Sequence, residues 1–575
     1  MAARAGKVHV ATTRRHYKGK VYETHLLRRT YREGGTVKNE TVGNLSHLPL
    51  ETIGLIRRSL AGEHFLAGRD LEIQRSRPHG HVLAVTGLMR QLGIAALLDR
   101  TASRERDLAC ALIAARVCAP GSKLATQRSW HASTLSDVFG VGDATVDEVY
   151  AACDWLRARQ PRIERGLARR HLSPDGLVLY DLSSSYVEGR RCPLAKRGYS
   201  RDGKRGTLQI EYGLVTDDAG RPVAVEVFAG NTGDPKTVPT QVTKLQTRFG
   251  LAQVVLVGDR GMLTAPQLDG LRAAKLAWIT ALRAPQIQAL VADGTLQLGL
   301  FDERNLAELT HPAYPGERLV VCRNPLLAQE RARKREDLLR ATEALLAPLE
   351  AAVAAGRLRG AAAIGLKVGR VLHKHKMAKH FTVDIGDDRL GVQRQPDAIA
   401  AEAALDGLYV LRTSLAPGRL APDAVVRVYK SLSRVERAFR TWKGLDLQVR
   451  PIYHWSADRV RAHVLLCLLA YYVRWHLERA WAPLLFRDEA RPEPADPVAP
   501  AQRSAAAQRK ASTQQLDDGT PVHSFRTLLA DLTTIARNRV VPRGLPAAAA
   551  FDCVTTPTPL QARALALLDV SVTGP

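Results

Sequence analysis

Residues 176 to 283 confine the chain to few folds. The stretch opens with the apolar run GLVLYDLSSSYV (176–187). Two more strand-length runs follow, LQIEYGLVTD (208–217) and PVAVEVFAG (222–230), joined through the turn signal DDAGRP. PKTVPTQVTKLQTRFG (235–250) then reads as a helix, with Asp234 as its cap before a Pro at the first position. QVVLVGDRGM (253–262), a helix over TAPQLDGLRAAK and the strand LAWITALR (276–283) complete a β-β-β-α-β-α-β order. Three hairpin-type strands followed by α/β alternation predict a mixed sheet covered by helices. Asp181 and Asp259 both stand where an apolar run stops, the strand-end position at which α/β sheets collect ligands. Ser183 to Ser185 read as a polar turn directly after Asp181.

A third acid is conspicuous for its surroundings. YKSLSRVERAFRTWK (429–443) holds Glu436 among Lys430, Arg434, Arg437, Arg440 and Lys443. On a single helix, Leu432, Val435, Ala438, Phe439 and Trp442 share an apolar sector, and Lys430, Arg434 and Arg437 lie opposite. Tyr429, Ser433, Glu436, Arg440 and Lys443 form a strip along the border, where a side chain can be held and still meet a ligand. The bland alternative is an i,i+4 pair between Glu436 and Arg440, worth ~0.2–0.5 kcal/mol.

Charge selects the partner. The 575 residues carry 83 Lys and Arg against 57 Asp and Glu, a net +26, so an extended polyanion is expected, nucleic acid before membrane. The longest apolar candidate span, VLLCLLAYYV (464–473), is shorter than the ~20 residues a bilayer requires, and the N-terminus lacks the apolar core of a signal peptide. These features predict a soluble cytoplasmic protein, associated with the nucleoid when bound. Seven scattered cysteines with no CxxC argue against a zinc ribbon or a disulfide scaffold. His373, His375 and His380 sit among Lys374, Lys376 and Lys379, which would repel a cation, and read as a solvated basic turn.

Length and texture divide the chain further. Residues 1–80 read as a basic β-hairpin and helix unit able to bind DNA, and 81–172 as a helical N-terminal domain suited to DNA. Residues 173–284 and 407–486 form the two parts of an α/β core interrupted by an insertion at 285–406. Residues 487–520, rich in Pro, Ala and charge, read as a flexible linker, and 521–575 as a C-terminal helical segment.

An Asp on a first strand, an Asp after a fourth and a Glu on a late helix is the arrangement of RNase H-like nucleotidyl transferases. Such enzymes hold two hard cations ~3.5–4 Å apart on carboxylate oxygens. The resemblance is specific. The chain is similar to bacterial DDE insertion-sequence transposases of the IS-four type, whose signature is Y-(2)-R-(3)-E-(6)-K. Tyr429, Glu436 and Lys443 match it in identity and spacing, whereas Leu432 stands at the Arg position and Arg434 or Arg440 would replace that contact. YDLSSS, FAGNTGDPKT, VVLVGDRGM and PIYHWSADRVRAHVLLCLLAYY resemble the family's other blocks.

The resemblance implies an RNase H-like fold with an insertion between the second Asp and the Glu. It also implies two Mg²⁺, replaceable by Mn²⁺, on Asp181, Asp259 and Glu436. Tyr429, Lys443, Arg434, Arg440 and Arg260 would hold DNA phosphates, Asn231 and Asp234 would line the site, and Tyr453 and His454 would brace the Glu436 helix. The implied activity is metal-dependent cleavage at element ends followed by strand transfer. Its partners would be double-stranded DNA, as terminal inverted repeats and target, and a second copy of the chain in a synaptic homodimer. The alternatives are an RNase H-like nuclease without strand transfer and an inactive transposase-derived DNA-binding protein.

Spacing points the same way: 78 residues separate Asp181 from Asp259, and 177 separate Asp259 from Glu436. Family members with such an insertion contact element ends with it, often through a hairpin intermediate. An aromatic clamp would be expected there, yet all seven Trp residues lie outside 285–406.

Overall fold

The computed structural model describes residues 6–63, 65, 70–296, 301–543 and 547–572. The chain forms two units, Met1–Ser76 with Arg537–Thr555, and Arg77–Ala536 with Thr556–Pro575. Among the described residues no helix is long and apolar enough to cross a membrane.

In the first unit β1 (Lys7–Tyr17), β2 (Lys20–Glu33) and β3 (Thr36–Asn44) make an antiparallel sheet in the order β1-β2-β3. Gly34 and Gly35 turn β2 into β3 with φ of 59° and 79°, a backbone that glycine adopts without a Cβ penalty. A helix over Leu50–Leu60 and β4 (Leu71–Pro78) follow.

The second unit is built around one sheet. Its strands in chain order are β5 (Leu177–Tyr186), β6 (Gln209–Thr216), β7 (Pro222–Ala229), β8 (Val255–Val257), β9 (Ala277–Ala281), β10 (Leu306–Leu309), β11 (Arg318–Arg323) and, after the β12–β13 hairpin (Phe381–Ile385, Leu390–Arg394), β14 (Leu408–Thr413). Their spatial order is β10-β11-β14-β9-β8-β5-β6-β7. β5, β8 and β9 run parallel, and the other five pairings among the described residues of this sheet are antiparallel. Taken from β7 to β9, the first five strands stand in the order 3-2-1-4-5, a mixed α/β sheet consistent with the RNase H-like expectation.

One helical layer packs on this sheet. The helix Val146–His171, started by a capping box between Thr145 and Glu148, and the helix Ala457–Ala480 both pack against β7. The latter is buried almost without interruption from Val460 to Trp475, which explains why its sequence is apolar on every face.

Three expectations change. The insertion at 285–406 does not stand apart from the core: β10 and β11 extend its sheet, with β14 seated between β11 and β9. The run RLVVC of β11 is buried at every position, and a strand buried on both faces belongs inside a sheet. The helices Pro325–Ala354 and Ala361–His375 and the β12–β13 hairpin then grow outward around their own apolar cluster, which includes Leu346, Val353, Ile364 and Val368. The supposed linker carries a helix over Ala505–Thr513, and Lys430 Nζ donates to the carbonyls of Pro497, Val498 and Ala499 at 2.6, 2.9 and 3.0 Å. The C-terminal segment is not all helical, since β15 (Ala536–Pro542) and β16 (Phe551–Val554) join β4 in the order β16-β15-β4.

Candidate active site

Asp181 lies within β5, paired with Leu214 of β6, and not at a strand end. Ser183, Ser184 and Ser185 continue the strand instead of forming a turn, and all three are buried. Their hydroxyls need partners there. Ser185 Oγ meets the Tyr212 hydroxyl at 2.9 Å, and Ser184 Oγ accepts the Arg201 backbone N–H at 2.9 Å. Asp259 does follow a strand: β8 stops at Val257, and Asp259 is exposed in the turn that leads to the helix Ala265–Ala273.

The expected single helix over 429–443 is two. One runs Pro422–Lys430 and the next Ser433–Lys443, joined by i→i−3 bonds from Leu432 N to Tyr429 O and from Arg434 N to Ser431 O. Ser431 Oγ donates to Val428 O at 2.6 Å, a local bond that competes with helix propagation. Val435, Ala438, Phe439 and Trp442 are buried as expected, and Leu432 is half-buried. Trp442 stacks on Tyr212 of β6 with ring centroids 5.8 Å apart, while Phe439 meets the same ring edge-on at 5.7 Å. These contacts seat the Glu436 helix on the β5–β6 side of the sheet.

The three acids share one electrostatic neighbourhood. The Asp181 carboxyl is pushed up to about 7, first by burial and then by the charges of Asp259 and Glu436, against a hydrogen bond from Leu182 N–H and the Arg201 charge. That bond, to Asp181 Oδ1, is 2.8 Å long. Tyr429 lies near Asp259, and burial followed by the Asp259 charge raises its phenol above the ordinary value. Among the described residues none of Asp181, Asp259 and Glu436 makes an ion pair, so the i,i+4 pair of Glu436 with Arg440 does not form. Carboxylate oxygens are the donor type that hard divalent ions take, and these three have no cation partner in a chain of net charge +26. Among the described residues no group of three His, Cys, Asp or Glu side chains is placed to hold a metal ion.

Sequence reasoning misses Arg201, on the connection between β5 and β6. Its Nη2 donates to Asp234 Oδ1 at 2.5 Å, and its Nη1 lies 3.5 Å from Glu211, whose carboxyl burial raises to about 7. Asp234 therefore does not act as a helix cap. A methyl group on Gly261 would stand 3.5 Å from Asp259 Oδ2 and 3.9 Å from Asp234 Oδ2, so both carboxylates border one small space. The only available signal is the Arg201-Asp202 pair, which puts an acid into an otherwise basic loop (KRGYSRDGKRG, 196–206) after the Asp181 strand.

The flanking cations divide. Arg260 and Arg440 are exposed, and among the described residues neither side chain has a hydrogen-bond or ion-pair partner. Arg434 donates to the Asp218 carbonyl at the β6–β7 turn. Lys443 is paired with Asp202 at 2.9 Å, alongside Arg450 at 2.7 Å, and burial pulls its ammonium below the ordinary value. Asn231 is exposed in a turn. Tyr453 and His454 do not brace the Glu436 helix: Tyr453 is exposed, and His454 packs against Tyr150 and His463. His380 is not solvated but buried, 3.0 Å from Glu402.

Comparison with known proteins places the chain in a family. The transposase DDE domain matches residues 173–473, and the N-terminal domain of IS1634 family transposases matches residues 10–72. No curated protein matches the chain. The cryo-EM structure of a piggyBac transposase synaptic complex with hairpin DNA is similar with a TM-score of 0.35 and 9% identity, covering 78% of this chain and 76% of that one. At that level it carries no argument, and the fold rests on the strand order. The DDE match spans more than half of the 575 residues, from before Asp181 to beyond Glu436, and the chain belongs to the DDE transposase family.

Proposed function

We propose that this chain cleaves DNA at the ends of an insertion sequence and joins the freed ends to target DNA, with Asp181, Asp259 and Glu436 as the catalytic carboxylates and a Y-R-E-K type signature in which Leu432 replaces the Arg. The observation that carries the reading is the electrostatic coupling of these three acids, none of them ion-paired, in a strongly basic protein. Their oxygens would hold two Mg²⁺, or Mn²⁺, which when bound supply Lewis acidity to the attacking and leaving oxygens of an in-line phosphodiester displacement.

The remaining work falls to side chains. The partly neutral Asp181 would lose its proton as the site is charged, and Tyr429 stands beside Asp259, where its hydroxyl can meet a DNA phosphate. Arg260 and Arg440 offer unpaired guanidinium groups to the DNA backbone beside the acids. Lys443 acts more remotely. Through Asp202 and Arg450 it fixes the end of the Glu436 helix against the connection that carries Arg201. Two ends are processed together, so the working species is a homodimer on double-stranded DNA.

The test uses duplexes copied from the ends of the element that encodes the chain. With Mg²⁺ the wild type should nick and join them, and Glu436→Gln should bind equally well but lose about 10³-fold in rate, ~4 kcal/mol of barrier. Unchanged activity in the variant would remove Glu436 from the site. Cutting without joining would make the chain a nuclease.

A further inference from the structure

The β1–β2 hairpin of the N-terminal unit is longer than its sheet. β3 ends opposite Leu26, so beyond that point β2 pairs with β1 alone, from Thr12↔His25 out to Tyr17↔Lys20. Residues 12 to 23 are exposed at every position, on both faces of the ribbon. The tip is a two-residue turn, with Lys18 at φ 48° and Gly19 at φ 74°, the positive angles of a turn that matches strand twist. A two-stranded ribbon bare on both faces buries little apolar surface of its own and is at best marginally stable in water. A surface complementary to its charge would stabilise it.

Its two faces differ. On one, Arg14 is neutralised by Glu23 at 2.6 Å, and His16 stands opposite Val21. The other face presents Arg15 opposite Tyr22 and Tyr17 opposite Lys20, with the Thr13 and Thr24 pair behind them. No acid lies on this face. Among the described residues Arg15 and Lys20 have no hydrogen-bond or ion-pair partner, while Tyr17 and Tyr22 are 54% and 52% exposed. Every side chain here except the Thr methyls ends in a group that can donate a hydrogen bond. Thr13 to Tyr17 spans about 14 Å at ~3.4 Å per residue, roughly two fifths of a ~34 Å turn of duplex.

From this geometry we infer that the β1–β2 arm is a reading head that inserts the Arg15, Tyr17, Lys20 and Tyr22 face into the major groove of duplex DNA. The groove is ~12 Å wide and admits a two-stranded ribbon, and Arg and Lys there donate to the O6 and N7 acceptors of guanine. The inference rests on the transposase reading for the identity of the DNA, but it concerns sequence choice and not chemistry.

The experiment measures the binding of the full chain, without added metal, to a duplex of the element's own end and to a scrambled duplex over a range of salt. Arg15→Ala with Lys20→Ala should leave the melting temperature unchanged, because both residues are exposed. The preference for the end duplex should fall at least tenfold. 7-Deazaguanine at the contacted positions should lower wild-type binding and leave the double variant unaffected. A lower salt slope with an intact preference would make the arm a backbone grip and overturn the reading, as would an unchanged preference or a wild type with none. Metal-dependent cleavage by the same double variant at saturating DNA reports separately on the catalytic reading: cleavage with the preference lost retains both, and cleavage with the preference intact discards only the arm.

Discussion

Replacing Asp181 by Asn should stabilise the metal-free protein while abolishing catalysis. The folded structure holds the Asp181 carboxyl at about 7 against an ordinary value of 3.8. A carboxyl raised in this way favours its neutral form. Its contribution to stability is fully present below the unfolded value, near pH 4, and is lost as the pH rises through about 7. At ~1.36 kcal/mol per unit the full penalty above pH 7 is about 4 kcal/mol, and solvent reaching the half-buried side chain reduces this to about 2. Asn keeps the size of Asp and can accept the Leu182 N–H, now at 2.8 Å, while carrying no charge.

Thermal denaturation of the full chain with EDTA should therefore place wild type and Asp181→Asn together near pH 4 and separate them by a few degrees at pH 8, the variant higher. Saturating Mg²⁺ should reverse the order, because ligand binding stabilises only a chain that can bind it. A variant less stable than wild type at pH 8 in EDTA would refute the electrostatic argument. An offset independent of pH would do the same.

Two further outcomes follow from packing and pairing. Trp442→Ala empties a fully buried site that stacks on Tyr212, so it should destabilise the protein by about 3–5 kcal/mol and reduce cleavage by releasing the Glu436 helix, read as a lower melting temperature and faster proteolysis. Asp202→Asn leaves Lys443 and Arg450 without their shared carboxylate, whose side chain is 1% exposed, and should cost about 3 kcal/mol by denaturation. Exchanging Lys443 for Met in the same background should restore part of that loss, because the unpaired ammonium is removed.

The candidate acids could be picked out because their signal is local. Strands β5 to β9 announce themselves as short apolar runs, and Asp181, Asp259 and Glu436 stand out by type and order. The buried stripe of Val435, Ala438, Phe439 and Trp442 follows from helical period alone. Arg201 was hidden because a surface-like basic loop gives no sign that one of its members turns inward to Asp234.

Residue order alone carries the succession of strands and helices, the three acids and the basic character that calls for a polyanion. Long-range packing was needed to keep Ser183–Ser185 in the sheet, since a buried hydroxyl is tolerable only when Tyr212 or the Arg201 backbone is there to bond it. Packing likewise brings β10 and β11 into the core, closes β15 and β16 into a sheet with β4, and turns Lys443 toward Asp202. Periodicity is written into neighbouring residues, whereas strand partners and charge partners are chosen between residues far apart in the chain, by which surfaces must leave water together.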